Sequence, residues 1–195
     1  MRACFPRFGR VLPVFALAFT AACGSSYQTV KVKEYRLALV QGDPVYKDEF
    51  RSLAADFNAY AQMHVLDFED TGANANSAII MTQGLESETD GKVGLGQWLS
   101  ESTSDSPFTS PGSHPKRTVY YSMRLEFDVD YFHERLGAGA QNRYEKQKLF
   151  FHEVGHGLEM DHVQDDPTDV MYPDISGDKN FSTFFARVRA YMNAN

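Results

Sequence analysis

The 195-residue chain is predicted to form a single α+β domain in which two large helices pack on a twisted, mixed β-sheet, followed by a small C-terminal subdomain that ends in a helix. Three observations predict this. Residues 29–40 (TVKVKEYRLALV) and 117–129 (RTVYYSMRLEFDV) are rich in β-branched and aromatic residues and partly alternate, as strands do. Apolar residues recur at three- and four-residue spacing from Val45 to about Met63, and a second helical stretch begins near Ala140. The order strand, helix, several strands, helix, loop and helix, with no internal repeat, suits one layer of helices against one sheet.

Composition narrows the field. Hydrophobic residues make up 43% of the chain and charged residues 23%, an ordinary globular balance that argues against wholesale disorder. The formal net charge of −7 argues against nucleic acid as a partner, which calls for Lys and Arg clustered on one face. Cys4 and Cys23 are the two cysteines, and both fall in the first 23 residues. A disulfide-stapled fold and a Cys-rich zinc module are therefore excluded.

The first segment reads as an address. Arg2, Arg7 and Arg10 precede the apolar run 11–19 (VLPVFALAF) and the small residues Ala21 and Ala22. That is the pattern of a signal peptide over residues 1–22. The run is far short of the roughly 20 residues a spanning helix needs. Small residues before Cys23, with Gly24-Ser25-Ser26 after it, resemble the lipobox of bacterial lipoproteins, although Thr20 stands where that family usually has Leu. The resemblance implies an acylated Cys23 as mature N-terminus, a lipidated tether over residues 23–28 and a single domain over 29–195. Gly24 after the cysteine resembles outer-membrane rather than inner-membrane lipoproteins. The expectation is an exported monomer held to the membrane of the cell envelope by its N-terminal lipid. An ordinary cleaved signal with Cys23 as bystander is the alternative.

Along the rest of the chain, Gly42-Asp43-Pro44 is a turn, with Asp43 as helix N-cap and Pro44 at the first helical position. In the first helix Phe50, Leu53, Ala54, Phe57, Tyr60 and Ala61 form the buried stripe. Residues 65–68 and 77–82 are short strands. Residues 92–98 form a third, whose glycines point to an edge or bulged strand. Residues 99–116 (LSESTSDSPFTSPGSHPK) read as a long surface loop. Phe181, Phe184, Phe185, Val188 and Tyr191 give a closing helix.

Inside the second large helix sits His152-Glu153-Val154-Gly155-His156. Histidines four apart lie one above the other on a helix face, so both imidazoles reach one metal ion. Glu153 projects beside them, where it can take a proton from a water the ion activates. Chance would produce this motif somewhere in such a chain on the order of one time in a hundred. Demanding a further histidine at the spacing of His162 multiplies that by roughly 0.03. Three protein ligands and a water make the open, catalytic kind of zinc site. His162 lies ten residues beyond His152, roughly 15 Å along a helix, so the helix must end near residues 157–160 and the chain must turn back.

The stretch HEVGHGLEMDH, from His152 to His162, followed by DVMYPD, from Asp169 to Asp174, resembles the metzincin zinc peptidases, and Met171-Tyr172-Pro173 resembles the matrixin branch. The resemblance implies the metzincin fold, one catalytic Zn2+ held by His152, His156 and His162, Glu153 as general base and acid, and Met171 as an apolar floor beneath the ion. It implies an endopeptidase acting on a peptide or protein substrate, aligned along the strand at 92–98, with residues 173–175 walling the main side-chain pocket. A zinc-containing lipoprotein that binds or assembles without cleaving is the alternative.

The chain departs from the family at Glu159, where the family has the glycine of a left-handed turn. A non-glycine there costs on the order of 1 kcal/mol. Gly157, two residues earlier, is a further aid to ending the helix, and Glu159 as a ligand on a continuous helix is the rival assignment. Tyr172 adjoins Met171 rather than standing two residues on, so no metal role is carried to it. Residues 99–116 lack the His/Asp cluster that holds structural ions in matrixins. His64, His114 and His133 are read as surface or capping residues, Asp165, Asp166 and Asp169 as a solvated turn, and Tyr120-Tyr121 as sheet packing. Trp98 is open between a groove and the core.

Overall fold

The computed structural model describes residues 28–89, 91–105, 116–137 and 140–194. Residues 1–27, including Cys23 and almost all of the predicted leader and tether, lie outside the described residues, as does His114. No helix among the described residues is long and apolar enough to cross a membrane. In chain order the elements are β1 (Gln28–Val32), β2 (Tyr35–Gln41), α1 (Lys47–Ala61), β3 (Leu66–Phe68), β4 (Ser77–Thr82), the short α2 (Leu85–Glu88), β5 (Gly94–Asp105), β6 (Lys116–Asp128), α3 (Ala140–Gly157) and α4 (Phe181–Asn193).

The single mixed sheet is mostly parallel. β2 pairs in parallel with β3 and β4, and β4 with β6, while β5 runs antiparallel to β6 along nearly its whole length. One edge of β6 is thus filled by β5, and the other is shared by β1 on its first half and β4 on its second. This division explains a difference from the sequence reading. The segment 29–40 is not one strand but two, broken at Lys33-Glu34, because the chain must step outward past β4 before β2 can pair. Period-2 alternation is the same on both sides of such a step, so pattern alone cannot mark it.

A second correction concerns residues 99–116. β5 continues to Asp105 and β6 begins at Lys116, so residues 99–105 and 116 belong to strands, and residues 106–115 are not described. Leu99, Ser100, Glu101 and Ser102 belong to the ladder because β6 supplies a partner for every one of them. Backbone pairing has overridden the Ser/Thr-rich composition.

The alternating residues Tyr121, Met123, Leu125 and Phe127 of β6 and Ile79 and Met81 of β4 are buried on the face covered by helices. α1 contributes Phe50, Leu53, Ala54, Phe57 and Ala61 to the same core, as its spacing predicts. Asp43 caps the 3-10 turn that leads into it, its carboxylate accepting from the Val45 amide at 2.9 Å. Tyr60 differs: it is 46% exposed, yet its ring stacks on Phe185 at 5.5 Å. Tyr121 is buried as predicted, whereas Tyr120 faces outward and is half exposed. Trp98 is 45% exposed, which excludes the core alternative.

α4 closes the domain. Asn180 caps it by accepting from the Ser182 amide, and Phe181, Phe184, Phe185 and Val188 are buried against α1 and α3. Each such side chain contributes roughly 1.5–3 kcal/mol of transfer free energy. A π-helical turn over Asp130–Arg135, with no counterpart in the sequence reading, follows β6. Asp128 anchors it, being buried and accepting from the amides of Tyr131 and Glu86.

Candidate metal centre

α3 ends at Gly157, and the way it ends builds the site. The Met160 amide donates to the Gly155 carbonyl at 3.0 Å and the Glu159 amide to that of His156 at 3.1 Å. With Glu159 at φ 61°, these bonds form a Schellman stop, in which the residue after the C-cap adopts the left-handed conformation. Gly157 has another duty than ending the helix: a Cβ there would lie 2.9 Å from Cβ of Met123, so its bareness lets α3 press on β6. Glu159 is exposed, stands outside the ligand cluster and hydrogen-bonds with the hydroxyl of Tyr191. The rival assignment of Glu159 as ligand is therefore set aside.

Beyond the stop the chain doubles back, and the Val163 amide donates to the Met171 carbonyl at 2.9 Å. His162 is thereby carried to the two histidines of α3. Nε2 of His162 lies 3.1 Å from Nε2 of His156 and 3.4 Å from Nε2 of His152. Two nitrogens bound to one tetrahedral zinc at about 2.0–2.1 Å are separated by roughly 3.3 Å. The other ring nitrogens fix the tautomers. Nδ1 of His152 donates to the Val170 carbonyl at 2.7 Å and Nδ1 of His156 to the Met160 carbonyl at 2.9 Å. The Nε2 atoms of both rings are then lone pairs facing one another, an arrangement that a cation satisfies. The three histidines can hold a metal ion. They are the one such cluster of three or more ligand-type residues among the described residues.

Glu153 lies beside them and is 95% buried. Its cover comes from β5: a Cβ at Gly94 would lie 2.5 Å from Oε1 of Glu153, and one at Gly96 2.0 Å from its backbone oxygen. The two glycines mark close approach of an edge strand to a helix, so the sequence reading of edge strand holds and its bulge alternative does not. Desolvation pushes the Glu153 carboxyl up to about 8, opposed by the Gly96 amide that donates to it and by the charge of Lys92. Burial is also the main reason that His152 is pulled down to about 4, and it lowers His156 in the same sense. Both rings are neutral and ready to ligate at neutral pH.

Met171 is fully buried, its sulfur so close that a Cβ at Gly155 would meet it at 2.2 Å. The Asp165–Asp169 stretch needs a correction. Asp166 is a turn residue as expected, accepting from the amide and hydroxyl of Thr168. Asp169, by contrast, is 2% exposed, accepts from the Met171 amide at 2.7 Å and pairs with Arg187 at 2.5 Å. A sequence shows three aspartates around Pro167 but not the distant arginine that lets one of them be buried. His64 and His133 are exposed, as expected, and His64 pairs with Asp67.

The cluster opens on a cleft of about 640 Å³. Lys92, Gly94, Gly96, Tyr131, Leu149, Pro173, Asp174 and Ile175 line it along with the histidines and Glu153.

The shifted groups make a pH expectation for the metal-free protein. Glu153 titrates near 4.5 unfolded and about 8 folded, so folding takes up a proton between these values and stability falls as pH rises through them. His152, near 6.5 unfolded and about 4 folded, has the opposite sign: its contribution grows with pH and is complete above 6.5. The two oppose below pH 6.5, and above it only the Glu153 slope remains. Calorimetry of metal-free protein should show Tm falling from pH 6.5 to 8.5, and Glu153→Gln should flatten that fall. A parent curve flat over this range would contradict the burial assigned to Glu153.

No protein-family model matches the chain, and no curated protein matches it significantly in sequence.

Proposed function

We propose that the chain is a zinc-dependent endopeptidase of the metzincin kind, closest to the matrixin branch, anchored to the bacterial cell envelope through an acylated Cys23. One observation carries the reading: three imidazole nitrogens converge at zinc-ligand spacing beside a buried carboxylate, at the mouth of an open cleft.

His152, His156 and His162 would hold the ion, which when bound supplies Lewis acidity toward the scissile carbonyl and makes water acidic near neutral pH. Glu153 acts as base toward the attacking water and then returns the proton to the leaving amine. Its position is set by the Gly96 amide and by the backbone of β5, which the bare residues 94 and 96 allow to press close against it. The carbonyls of Val170 and Met160 hold the two helical imidazoles in the tautomer that ligates. Among the described residues β5 pairs with β6 along one edge only, and its other edge would pair with an extended peptide. Pro173, Asp174 and Ile175, which line the same cleft, would wall the pocket that receives the side chain beyond the scissile bond.

The test starts from protein extracted from its native membrane. Mass spectrometry should find acylated Cys23 and one zinc per chain, and peptide cleavage should vanish with a chelator and return with zinc. A zinc-loaded chain that cleaves nothing in a broad peptide library would favour a binding or assembly role. An unmodified Cys23 would remove the anchor.

A further inference from the structure

Two lysines inside the cleft wall have no part in the mechanism above. Lysine is almost never fully buried without partners, yet Lys148 of α3 is 2% exposed and Lys179, just before α4, is 8% exposed. Burying an ammonium costs free energy unless each of its protons finds an acceptor. Here most of the acceptors are backbone carbonyls of one irregular segment. Nζ of Lys179 donates to the Pro167 carbonyl at 2.9 Å and to the Asp174 carbonyl at 2.6 Å. Nζ of Lys148 donates to the Gly177 carbonyl at 2.8 Å and pairs with Glu145 at 2.7 Å.

Converging carbonyls of this kind are what a hard cation ordinarily gathers. The three acceptors fall at the start, middle and end of the stretch 167–177, which forms neither helix nor strand. The middle one, Asp174, is itself a wall residue of the cleft. Two aromatic rings complete the arrangement. Lys148 lies over Tyr144 at 5.1 Å and Lys179 over Tyr172 at 5.3 Å, and the Tyr144 hydroxyl accepts from the Lys179 amide at 2.7 Å. Lys148 is also the immediate neighbour of Leu149, which lines the cleft from α3.

We propose that Lys148 and Lys179 are positioning residues whose ammonium groups do the work of a structural cation, lacing the carbonyls of residues 167, 174 and 177 so that the wall carrying Pro173, Asp174 and Ile175 stands at a fixed distance from Leu149. The width of the side-chain pocket is then set by two internal charges. The inference rests on the peptidase reading for its consequence, selectivity, though not for the lacing itself. Neither lysine bonds the carbonyls of Val170 and Met160 that orient His152 and His156, although Val170 lies within the laced stretch, so zinc content is read beside wall geometry.

The experiment compares the zinc-loaded full chain with Lys179→Met, which keeps an apolar stem of similar reach and loses the ammonium. Peptides differing only in the size of the residue after the scissile bond are the substrates. Zinc content is expected to stay at the parent value while the preference between large and small residues, as a ratio of kcat/KM, drops by about tenfold. The loss should appear mainly in KM for the preferred peptide, since Glu153 is untouched. Hydrogen exchange at the amides of residues 172–178 should quicken. Lys148→Met, which releases the Gly177 end alone, should move both readouts the same way by less, and it serves if Lys179→Met does not fold. Zinc-loaded variants with parental selectivity and parental exchange would overturn the proposal. Should the parent cleave no peptide, the peptidase reading fails by that fact, and exchange in the wall alone decides the lacing.

Discussion

Glu153→Gln is expected to lower kcat by about 10²–10⁴-fold, the range a positioned general base contributes, while zinc content stays at one ion per chain. Glutamine has nearly the volume of glutamate, so the narrow slot under Gly94 and Gly96 remains filled. Its amide can still accept from Gly96, but it has no site basic enough to take a proton from water. His152 and His156 keep their own carbonyl partners, at Val170 and Met160, which the substitution does not touch. Peptide turnover together with metal analysis of the same sample checks both halves. A zinc-loaded variant with parental turnover would remove Glu153 from the chemistry.

The largest effect on stability is expected from Phe151→Ala. Phe151 is fully buried, one residue before His152, and its ring meets those of Phe57, Phe181 and Phe185 at 5.4, 5.1 and 5.2 Å. It therefore joins α1, α3 and α4 in one contact. Truncating a phenylalanine in such a core costs about 3–5 kcal/mol, through lost transfer free energy and the cavity left behind. That is a large share of the roughly 5–15 kcal/mol by which domains are stable. Urea unfolding of metal-free protein should show the midpoint falling with the slope unchanged. A cost under about 1 kcal/mol would mean that the three helices are not packed through this ring.

The clustering of the histidines was legible because helical geometry ties residues 152 and 156 to one face whatever else the chain does. The need for a turn before His162 followed from length alone, and the α3 stop at Gly157 meets it. α1 and α4 were legible from their apolar spacing, α3 as a helical stretch beginning near Ala140, and the glycine-rich strand was assigned to an edge. What was hidden depends on partners distant in sequence. The break at Lys33-Glu34 reflects how β6 divides one edge between β1 and β4, and the ladder through Ser102 exists because β6 faces it. Asp169 is buried because Arg187 reaches it from α4. The roles of Gly94 and Gly96 were half visible, since pattern shows a bare strand but not the helix against it. The internal lysines gave no sequence signal, because Lys148 and Lys179 look like any solvated cation until the carbonyls around them are known.

All three imidazoles fall between His152 and His162, whereas the glycines that seal Glu153 stand more than fifty positions earlier. The histidine donor set is thus encoded locally and the cover over its neighbouring carboxylate globally. If the cluster binds zinc as proposed, a denatured chain retains the complete donor set within one short stretch and can capture metal before any sheet exists, so part of the binding free energy would be spent on the wrong state and zinc would protect the fold less than its affinity suggests. Chaperoning a thermal scan with excess zinc would accordingly show a shallower rise in melting temperature with concentration than a centre assembled from scattered ligands of equal native affinity.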